Sequence, residues 1–158
     1  MDIKLDMENA FDRVNHFLIF EIMSKFGFSK RFVNWVKACI SRPWIAPLVN
    51  GRPSKFFQAN RGLRQGCPMS PFLYLLVVEA MSRKLQFKQE SRELKGMKIA
   101  RGVKASNHAQ FVDDTILLGG ASVIIVRRFN SVLSTFLKAT NGKINSIKSK
   151  VYSWNLPP

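Results

Sequence analysis

The sequence is poor in the residues that build zinc sites and disulfide frameworks. Its 158 residues include two cysteines, Cys39 and Cys67, and two histidines, His16 and His108. These four residues are not spaced like the ligands of a structural zinc motif. We therefore predict neither a zinc site nor a required disulfide, and we expect an intracellular chain.

Long apolar runs are also missing. The longest, Phe72 to Val78, is too short to cross a bilayer. The N-terminus is charged from Asp2 onward and carries no secretory signal. The sequence therefore predicts no membrane partner.

Acidic residues are scarce relative to basic ones. Lys and Arg number 25 against 10 Asp and Glu, which gives a net charge of +15. A surplus of this size favours a polyanionic partner, with nucleic acid as the first candidate. The basic residues are scattered along the chain, a distribution typical of a broad phosphate-binding surface rather than of a disordered basic tail. The alternative is an ordinary solvated surface without a polyanionic partner.

The few acids that are present form two notable clusters. Asp113 and Asp114 stand between two short apolar runs, Phe111-Val112 and Ile116 to Leu118. This pattern predicts a β-hairpin with both carboxylates at its tip. Adjacent anions repel each other, so the pair suits a site in which a divalent cation neutralises them. The alternative is a plain polar turn, because Asp is a good turn former.

The second cluster lies near the N-terminus. Ile3, Leu5 and Met7 alternate with polar residues, which predicts a strand that ends beside Asp6. If that strand end lies beside the Asp113-Asp114 hairpin, the three carboxylates could form a cage for Mg²⁺. Two such ions are the standard device for in-line phosphoryl transfer. The alternative for Asp6 is an exposed charge at a strand end.

The remaining pattern predicts alternating helices and strands. Predicted helices cover His16 to Phe26, a segment from the Ser29 cap to Ile40, Ser70 to about Phe87, and Val123 to Lys138. Further predicted strands are Ile45 to Val49 and Phe56-Phe57 around an Asn50-Gly51 turn, Lys98-Ile99, and Lys143 to Tyr152. We predict an α+β fold: a small, mostly antiparallel sheet with helices packed on one face.

One loop, from Asn60 to Pro71, has features of a phosphate-binding segment. Arg61 and Arg64 can pair with phosphate, and Gln65 can hydrogen-bond a base or sugar edge. Gly62 and Gly66 allow a close approach of the backbone to a ligand. Glycine and proline also punctuate ordinary loops, so a loop without a ligand is the alternative.

Three segments together resemble a known family. They are Leu5 to Asp12, Arg64 to Phe72 and Phe111 to Asp114, in that order. The chain resembles the reverse transcriptase domain of non-LTR (LINE-type) retrotransposons over nearly its whole length. Smaller matches support the resemblance at Phe26 to Phe28, Asn50-Gly51, Lys143 to Asn145 and Lys148.

The resemblance implies a right-hand polymerase palm and an RNA-directed DNA polymerase activity. By position, Asp6, Asp113 and Asp114 are the expected catalytic acids. They are also the expected metal ligands, together with the backbone carbonyl of Met7. The implied cofactors are two Mg²⁺ ions, with Mn²⁺ as an alternative.

The resemblance also implies how the substrates are held. The implied partners are an RNA template, a DNA primer and a dNTP. Phe11 is expected under the incoming sugar, and Gln65 and Gly66 against the incoming nucleotide and template. Arg64 and Lys148 are expected to meet phosphates.

The chain departs from the family pattern in several places. Val112 stands where the family usually has Ala, Cys67 where many relatives have Asp, and Asn9 where Lys is common. We expect residues 1–158 to be a partial palm domain without upstream fingers and downstream thumb, from a longer protein or a decayed element. A nuclear location is compatible with the resemblance.

The sequence therefore supports two classes of function. The first is a polymerase palm; the second is a non-catalytic basic domain, inherited from a decayed element, that binds nucleic acid. A metal-dependent nuclease is a weaker third class, because it would not account for the loop from Arg64 to Pro71.

Overall fold

The computed structural model describes residues 1–98 and 100–154. The chain divides into two compact units, each described by itself below. The sheet unit comprises Met1–Ala10 and the chain from Val78 onward, and the helical unit comprises Phe11–Val77. Among the described residues, no helix combines the length and apolarity of a membrane span.

Helices and strands alternate along the chain, as the sequence predicts. In chain order the elements are β1 (Asp2–Asp6), α1 (Ala10–Arg13), α2 (His16–Lys25), α3 (Lys30–Ile40), β2 (Trp44–Ile45), β3 (Leu48–Val49), β4 (Arg52–Pro53), β5 (Phe57–Gln58), α4 (Ser70–Glu90), β6 (His108–Phe111), β7 (Asp114–Leu118), α5 (Val123–Thr140) and β8 (Lys150–Tyr152).

The sheet unit is built on a four-stranded antiparallel sheet. Its strand order is β6-β7-β1-β8, so the N-terminal strand lies in the interior of the sheet. β1 pairs with β7 over its full length, from Asp2 opposite Leu118 to Asp6 opposite Asp114. The alternation of apolar and polar residues in β1 fixes this register, because a slip by one residue would turn its apolar side chains to the other face.

Helices cover one face of this sheet. Leu5 of β1 and Leu117 of β7 point to that face and are buried. They belong to one apolar cluster with Met81 and Leu85 of α4, Leu94, and Phe129, Val132 and Leu133 of α5. The helical residues recur at intervals of three and four, which places them on one side of each helix. The predicted α+β class, with helices on one face of an antiparallel sheet, is confirmed.

The helical unit contains two packed helices and two short ladders. Ser29 caps α3 as predicted, since its side chain accepts a hydrogen bond from the Phe32 backbone N–H. The predicted Asn50-Gly51 hairpin forms, but as two separate ladders, β2 with β5 and β3 with β4. Pro47 lies between β2 and β3, and Pro53 ends β4. Proline has no N–H to donate, so it interrupts a continuous ladder.

The structure corrects the prediction at the C-terminal strand. The sequence predicts one strand from Lys143 to Tyr152, whereas β8 covers only Lys150–Tyr152. The Asn145 side chain accepts hydrogen bonds from the N–H groups of Ile147 and Lys148, which makes a turn. An Asn side chain that bonds nearby backbone in this way competes with a strand. The predicted strand at Lys98-Ile99 includes Ile99, which lies outside the described residues.

Candidate functional site: an acidic hairpin tip in the sheet unit

The Asp113-Asp114 pair lies at the tip of the β6–β7 hairpin, as predicted. Phe111 and Asp114 are the last paired residues, so Val112 and Asp113 form a two-residue turn. Val112 has a φ of 52°. Two-residue hairpin turns need a positive φ at their first central residue, a conformation that costs a β-branched residue about 1–3 kcal/mol. The hairpin therefore holds its acids on a strained turn.

Asp6 lies directly beside this tip. It is the register partner of Asp114, and residues paired in this way present their side chains on the same face of the sheet. The Met7 N–H donates to the Asp113 carbonyl at 3.0 Å. These contacts bring the two acidic clusters together although more than a hundred residues separate them in the sequence. Asp6 and Asp114 lie on the face of the sheet opposite the apolar cluster. Leu5 belongs to that cluster, and successive residues of a strand point to opposite faces.

The chain after α5 holds the backbone of Asp6 from the other side. The Asn145 N–H donates to the Asp6 carbonyl at 2.9 Å, and the Asp6 N–H donates to the Ser149 hydroxyl at 3.1 Å. Both backbone groups of Asp6 therefore have fixed partners. Asn145 was expected only as part of the family match, and Ser149 was not predicted.

Lysine ammonium groups contact the acids. Lys4 Nζ lies 3.1 Å from Asp114 Oδ2, and Lys148 Nζ lies 4.0 Å from Asp6 Oδ2. The hydrogen bond to Asp114 and the charge of that carboxylate raise the pKa of Lys4. A third ion pair joins Lys143 to Glu8, which follows Asp6 by two residues. Lys148 was predicted here, whereas Lys4 was not; its signal is the Lys-x-Asp spacing, which places Lys4 and Asp6 on one face of a strand.

The donor chemistry of the site suits a hard divalent cation. Asp6, Asp113 and Asp114 offer carboxylate oxygens, and Met7 offers a backbone carbonyl, which are the ligand types that Mg²⁺ prefers. Within residues 1–98 and 100–154, however, no three His, Cys, Asp or Glu side chains are arranged closely enough to hold an ion. Lys4 and Lys148 currently pair with two of the acids. The ligand atoms are therefore of the type that Mg²⁺ binds, while in this structure lysine ammonium groups pair with Asp6 and Asp114.

The remaining predicted site residues belong to the helical unit. The Phe11 ring stacks on the buried ring of Tyr74, with centroids 4.5 Å apart. Gln65 Nε2 donates to the Asp12 carboxylate at 3.3 and 3.4 Å. Arg64 is exposed, and its carbonyl accepts a hydrogen bond from the Ser70 hydroxyl at 2.7 Å. The contacts of Phe11 and Gln65 are with protein groups, and Gly66 is exposed with a φ of 79°.

Gly62 has a structural role that the sequence analysis did not separate from that of Gly66. A Cβ on Gly62 would lie 2.6 Å from the backbone carbonyl oxygen of Asp12, whereas a Cβ on Gly66 would meet nothing within 4 Å. The Gly62 N–H donates to the Val14 carbonyl, and His16 Nε2 lies 2.7 Å from the Gly62 carbonyl. The close approach predicted for this glycine is therefore to the chain's own backbone.

The fold and the acidic tip together define a class of protein. An antiparallel sheet with helices on one face, and acids at a strand end and a hairpin tip on the other, is the palm-like α+β fold of polymerases. Solved structures support this assignment of fold. A structure of apo telomerase from Candida tropicalis, truncated from its C-terminal domain, aligns with 99% of this chain and 31% of its own, with a TM-score of 0.69 and 18% identity.

The sequence profile of the family described as "Reverse transcriptase (RNA-dependent DNA polymerase)" matches residues 1–157. The chain belongs to this family. The resemblance to non-LTR retrotransposons is confirmed as well. A Pol polyprotein from the type-2 retrotransposable element R2DM of Drosophila melanogaster is 29% identical over 91% of this chain. An uncharacterised 149 kDa protein of the transposon TX1 of Xenopus laevis is 26% identical over 93%.

The matched relatives are longer than this chain. It spans 13% of the Drosophila protein and 11% of the Xenopus protein. An uncharacterised mitochondrial protein of Arabidopsis thaliana is 38% identical over 43% of this chain, which covers 56% of that protein. The activity, substrates and partners of the whole protein are therefore treated as proposals below.

Proposed function

We propose that this chain is the catalytic palm of an RNA-directed DNA polymerase that transfers a nucleotide from a dNTP to the 3′-hydroxyl of a primer. The observation that carries the proposal is the pairing of Asp6 with Asp114 at the tip of the β6–β7 hairpin. Family membership supports it, because the acids stand in the segments that carry the resemblance. The proposed partners are an RNA template, a DNA primer and a dNTP.

Asp6, Asp113 and Asp114 would hold two Mg²⁺ ions, with the Met7 carbonyl as a further ligand. When bound, the ions would lower the pKa of the primer hydroxyl and neutralise charge on the leaving pyrophosphate. The protein's own contribution is to hold the acids in place. Hydrogen bonds from Asn145 and to Ser149 fix the backbone of Asp6, and the strained turn fixes Asp113. A fixed first set of ligands avoids reorganisation during the reaction.

Lysines near the acids supply positive charge for phosphates. Lys148 is exposed and lies beside Asp6, so its ammonium group is available to an incoming triphosphate. Lys4 would have to release Asp114 when an ion binds, since the ammonium group and the ion compete for the same carboxylate. An ion pair this exposed contributes little, so the exchange costs little.

For the helical unit we propose the roles implied by the family. Phe11 would lie under the sugar of the incoming nucleotide, and its stacking on Tyr74 would keep its ring orientation fixed. Gln65 and Gly66 would contact the nucleotide and template, and Arg64 a phosphate. Gln65 must first release the Asp12 carboxylate, a long and exposed contact of 3.3 Å. Template pairing then supplies sequence information, so the protein needs to hold only backbones.

A second candidate function is a non-catalytic domain that binds nucleic acid. The observation that favours it is that lysines already neutralise two of the acids. Primer extension on an RNA template, with and without Mg²⁺, separates the two candidates. The polymerase proposal expects Mg²⁺-dependent addition of nucleotides. A chain that binds the primer–template tightly and adds none at any Mg²⁺ or Mn²⁺ concentration would support the second candidate.

A further inference from the structure

The region of the two short ladders, β2 with β5 and β3 with β4, lies within a long acid-free stretch, residues 22–78. We call residues 42–58, which are all described, the arm. No side chain of the arm is buried, and none is acidic. Its cations are Arg42, Arg52 and Lys55. An exposed hairpin normally mixes charges of both signs, so an acid-free hairpin favours an anionic partner.

The arm also exposes large aromatic rings. Trp44 is 67% exposed and Phe56 is 63% exposed. Burying such rings elsewhere would be favourable by about 1.5–3 kcal/mol each, so their exposure points to a partner. A patch that combines aromatic rings with cations is typical of surfaces on which single-stranded nucleic acid lies, with bases on rings and phosphates on cations.

The helical unit extends the same electrostatic field. Between Phe11 and Val77 it contains ten Lys and Arg against two acids, Asp12 and Glu21, a net +8 of the chain's +15. The core of a protein–protein interface is usually depleted in charge, so this surplus favours a polyanion over a protein partner. The described contacts of the arm are also mostly local, such as the Ala59 N–H to the Pro43 carbonyl and the Gln58 amide to the Arg42 carbonyl.

We propose that the arm is a binding surface for a single-stranded nucleic acid, with Trp44 as its stacking platform and Arg42, Arg52 and Lys55 as its phosphate contacts. Trp44 is opposite Gln58, and Ile45 is opposite Phe57, so Trp44 and Phe57 lie on opposite faces of the ladder. The strand lies on the Trp44 face. This inference deepens the proposed function, because an unpaired template is the strand that such a polymerase must hold.

Binding of a short fluorescein-labelled single-stranded RNA of mixed sequence, measured by fluorescence anisotropy over a range of salt concentrations, tests the proposal on the full chain. We expect Trp44→Ala to weaken binding about tenfold, as the loss of one stacked base does. Phe57→Ala, the matched control on the other face, should stay close to wild type. Circular dichroism would check that each variant is folded.

The phosphate contacts have their own control. Replacing Arg42, Arg52 and Lys55 together by Gln should reduce the slope of log K against log salt by about 2, because each neutralised phosphate of a single strand contributes about 0.7. Replacing the exposed Lys95, Lys98 and Lys104 by Gln removes the same charge outside the arm and should leave the slope nearly unchanged.

Wild-type affinity in Trp44→Ala would overturn the inference, and so would equal slopes in the two triple variants. A shift of Trp44→Ala from dimer to monomer in size-exclusion chromatography, with unchanged RNA affinity, would also overturn it and identify a protein-binding surface instead. None of these results depends on nucleotide addition. Failure of the arm proposal and failure of the polymerase proposal are therefore distinguishable.

Discussion

At the scale of single residues, Val112 combines an unfavourable conformation with a central position. It takes the first place of the hairpin turn next to Asp113, with a φ of 52°, where glycine is favoured. Strain held at such a position is typical of functional sites. From the sequence, Val112 stands out only as a replacement of the usual Ala; its positive φ depends on the register of β6 and β7.

We predict that Val112→Gly stabilises the fold. Removing the Cβ relieves the strain, and after the entropy that glycine adds to the unfolded chain the net gain is about 1 kcal/mol. Urea unfolding measures it. Val112→Ala, which keeps a Cβ, should gain less. A Val112→Gly variant that unfolds at lower urea than wild type would show that the turn is not strained.

Lys4 provides a second prediction at this scale. Its ammonium group lies 3.1 Å from Asp114 Oδ2, so it competes with any cation for that carboxylate. We expect Lys4→Met to bind Mn²⁺ roughly two- to fivefold more tightly, the range that an exposed ion pair of this kind allows. Titration of free Mn²⁺ by electron paramagnetic resonance would measure the change.

Lys150→Met is the matched control for Lys4. Lys150 is the register partner of Lys4 on β8, so its removal takes the same charge from the same face of the sheet. It should change Mn²⁺ affinity less than Lys4→Met does. Equal effects of the two variants would mean that Lys4 acts through general charge rather than through its contact with Asp114.

At the scale of elements, a half-buried histidine, His108, ties β6 to α4. His108 Nδ1 lies 2.5 Å from Asn107 Oδ1, and Nε2 lies 2.7 Å from the Ser82 hydroxyl. Because Asn107 Nδ2 donates to the Leu85 carbonyl, Asn107 Oδ1 faces the ring and accepts from Nδ1–H. When His108 is neutral, the Ser82 hydroxyl donates to Nε2, and the side chains of Ser82, Asn107 and His108 all have hydrogen-bond partners.

This group predicts a loss of stability in acid. Burial lowers the pKa of His108 from its usual 6.5. The unfolded chain therefore takes up a proton at this residue before the folded chain does, and stability falls as the pH drops below about 6.5. Urea midpoints at neutral and mildly acidic pH would show the loss. His108→Gln should reduce the pH dependence; an unchanged dependence would exclude His108 as its source.

The loop after the arm depends on a glycine for packing. We predict that Gly62→Ala lowers the free energy of unfolding by about 3 kcal/mol, because it adds a clash with the Asp12 carbonyl to an unfavourable φ. Gly66 has a similar φ, but a Cβ there would meet open space, so Gly66→Ala should lower the free energy of unfolding by only about 1 kcal/mol. Urea unfolding of both variants compares them. Equal costs would show that the contact of Gly62 with Asp12 is unimportant.

Elements with a strong local signal could be predicted from the sequence. α3 begins after its Ser29 cap, α5 follows its apolar period, and the Asn50-Gly51 turn forms where two positive φ values are needed. The C-terminal strand could not be predicted, because the turn at Asn145 depends on a side-chain hydrogen bond that competes with the strand. Apolar residues on both sides of Asn145 gave no sign of it.

At the scale of the whole molecule, the sequence indicated which acids meet but not what surrounds them. Family motifs and strand patterns brought together Asp6, Asp113 and Asp114, and the register of β1 with β7 agrees. The contacts of Lys4 and Ser149 depend on a register between distant strands, which local patterns do not encode. The catalytic roles, the two ions and the assignment of residues 1–158 as a partial palm domain stay predictions.

The measurement that tests the account most directly is single-nucleotide primer extension on an RNA template in Mg²⁺ by wild type, Asp113→Asn and Asp12→Asn. Asp12 is an exposed acid of the helical unit and is not among the proposed metal ligands. We predict that Asp113→Asn abolishes extension while keeping salt-sensitive binding of the primer–template, and that Asp12→Asn still extends. Equal extension by wild type and Asp113→Asn would contradict the account.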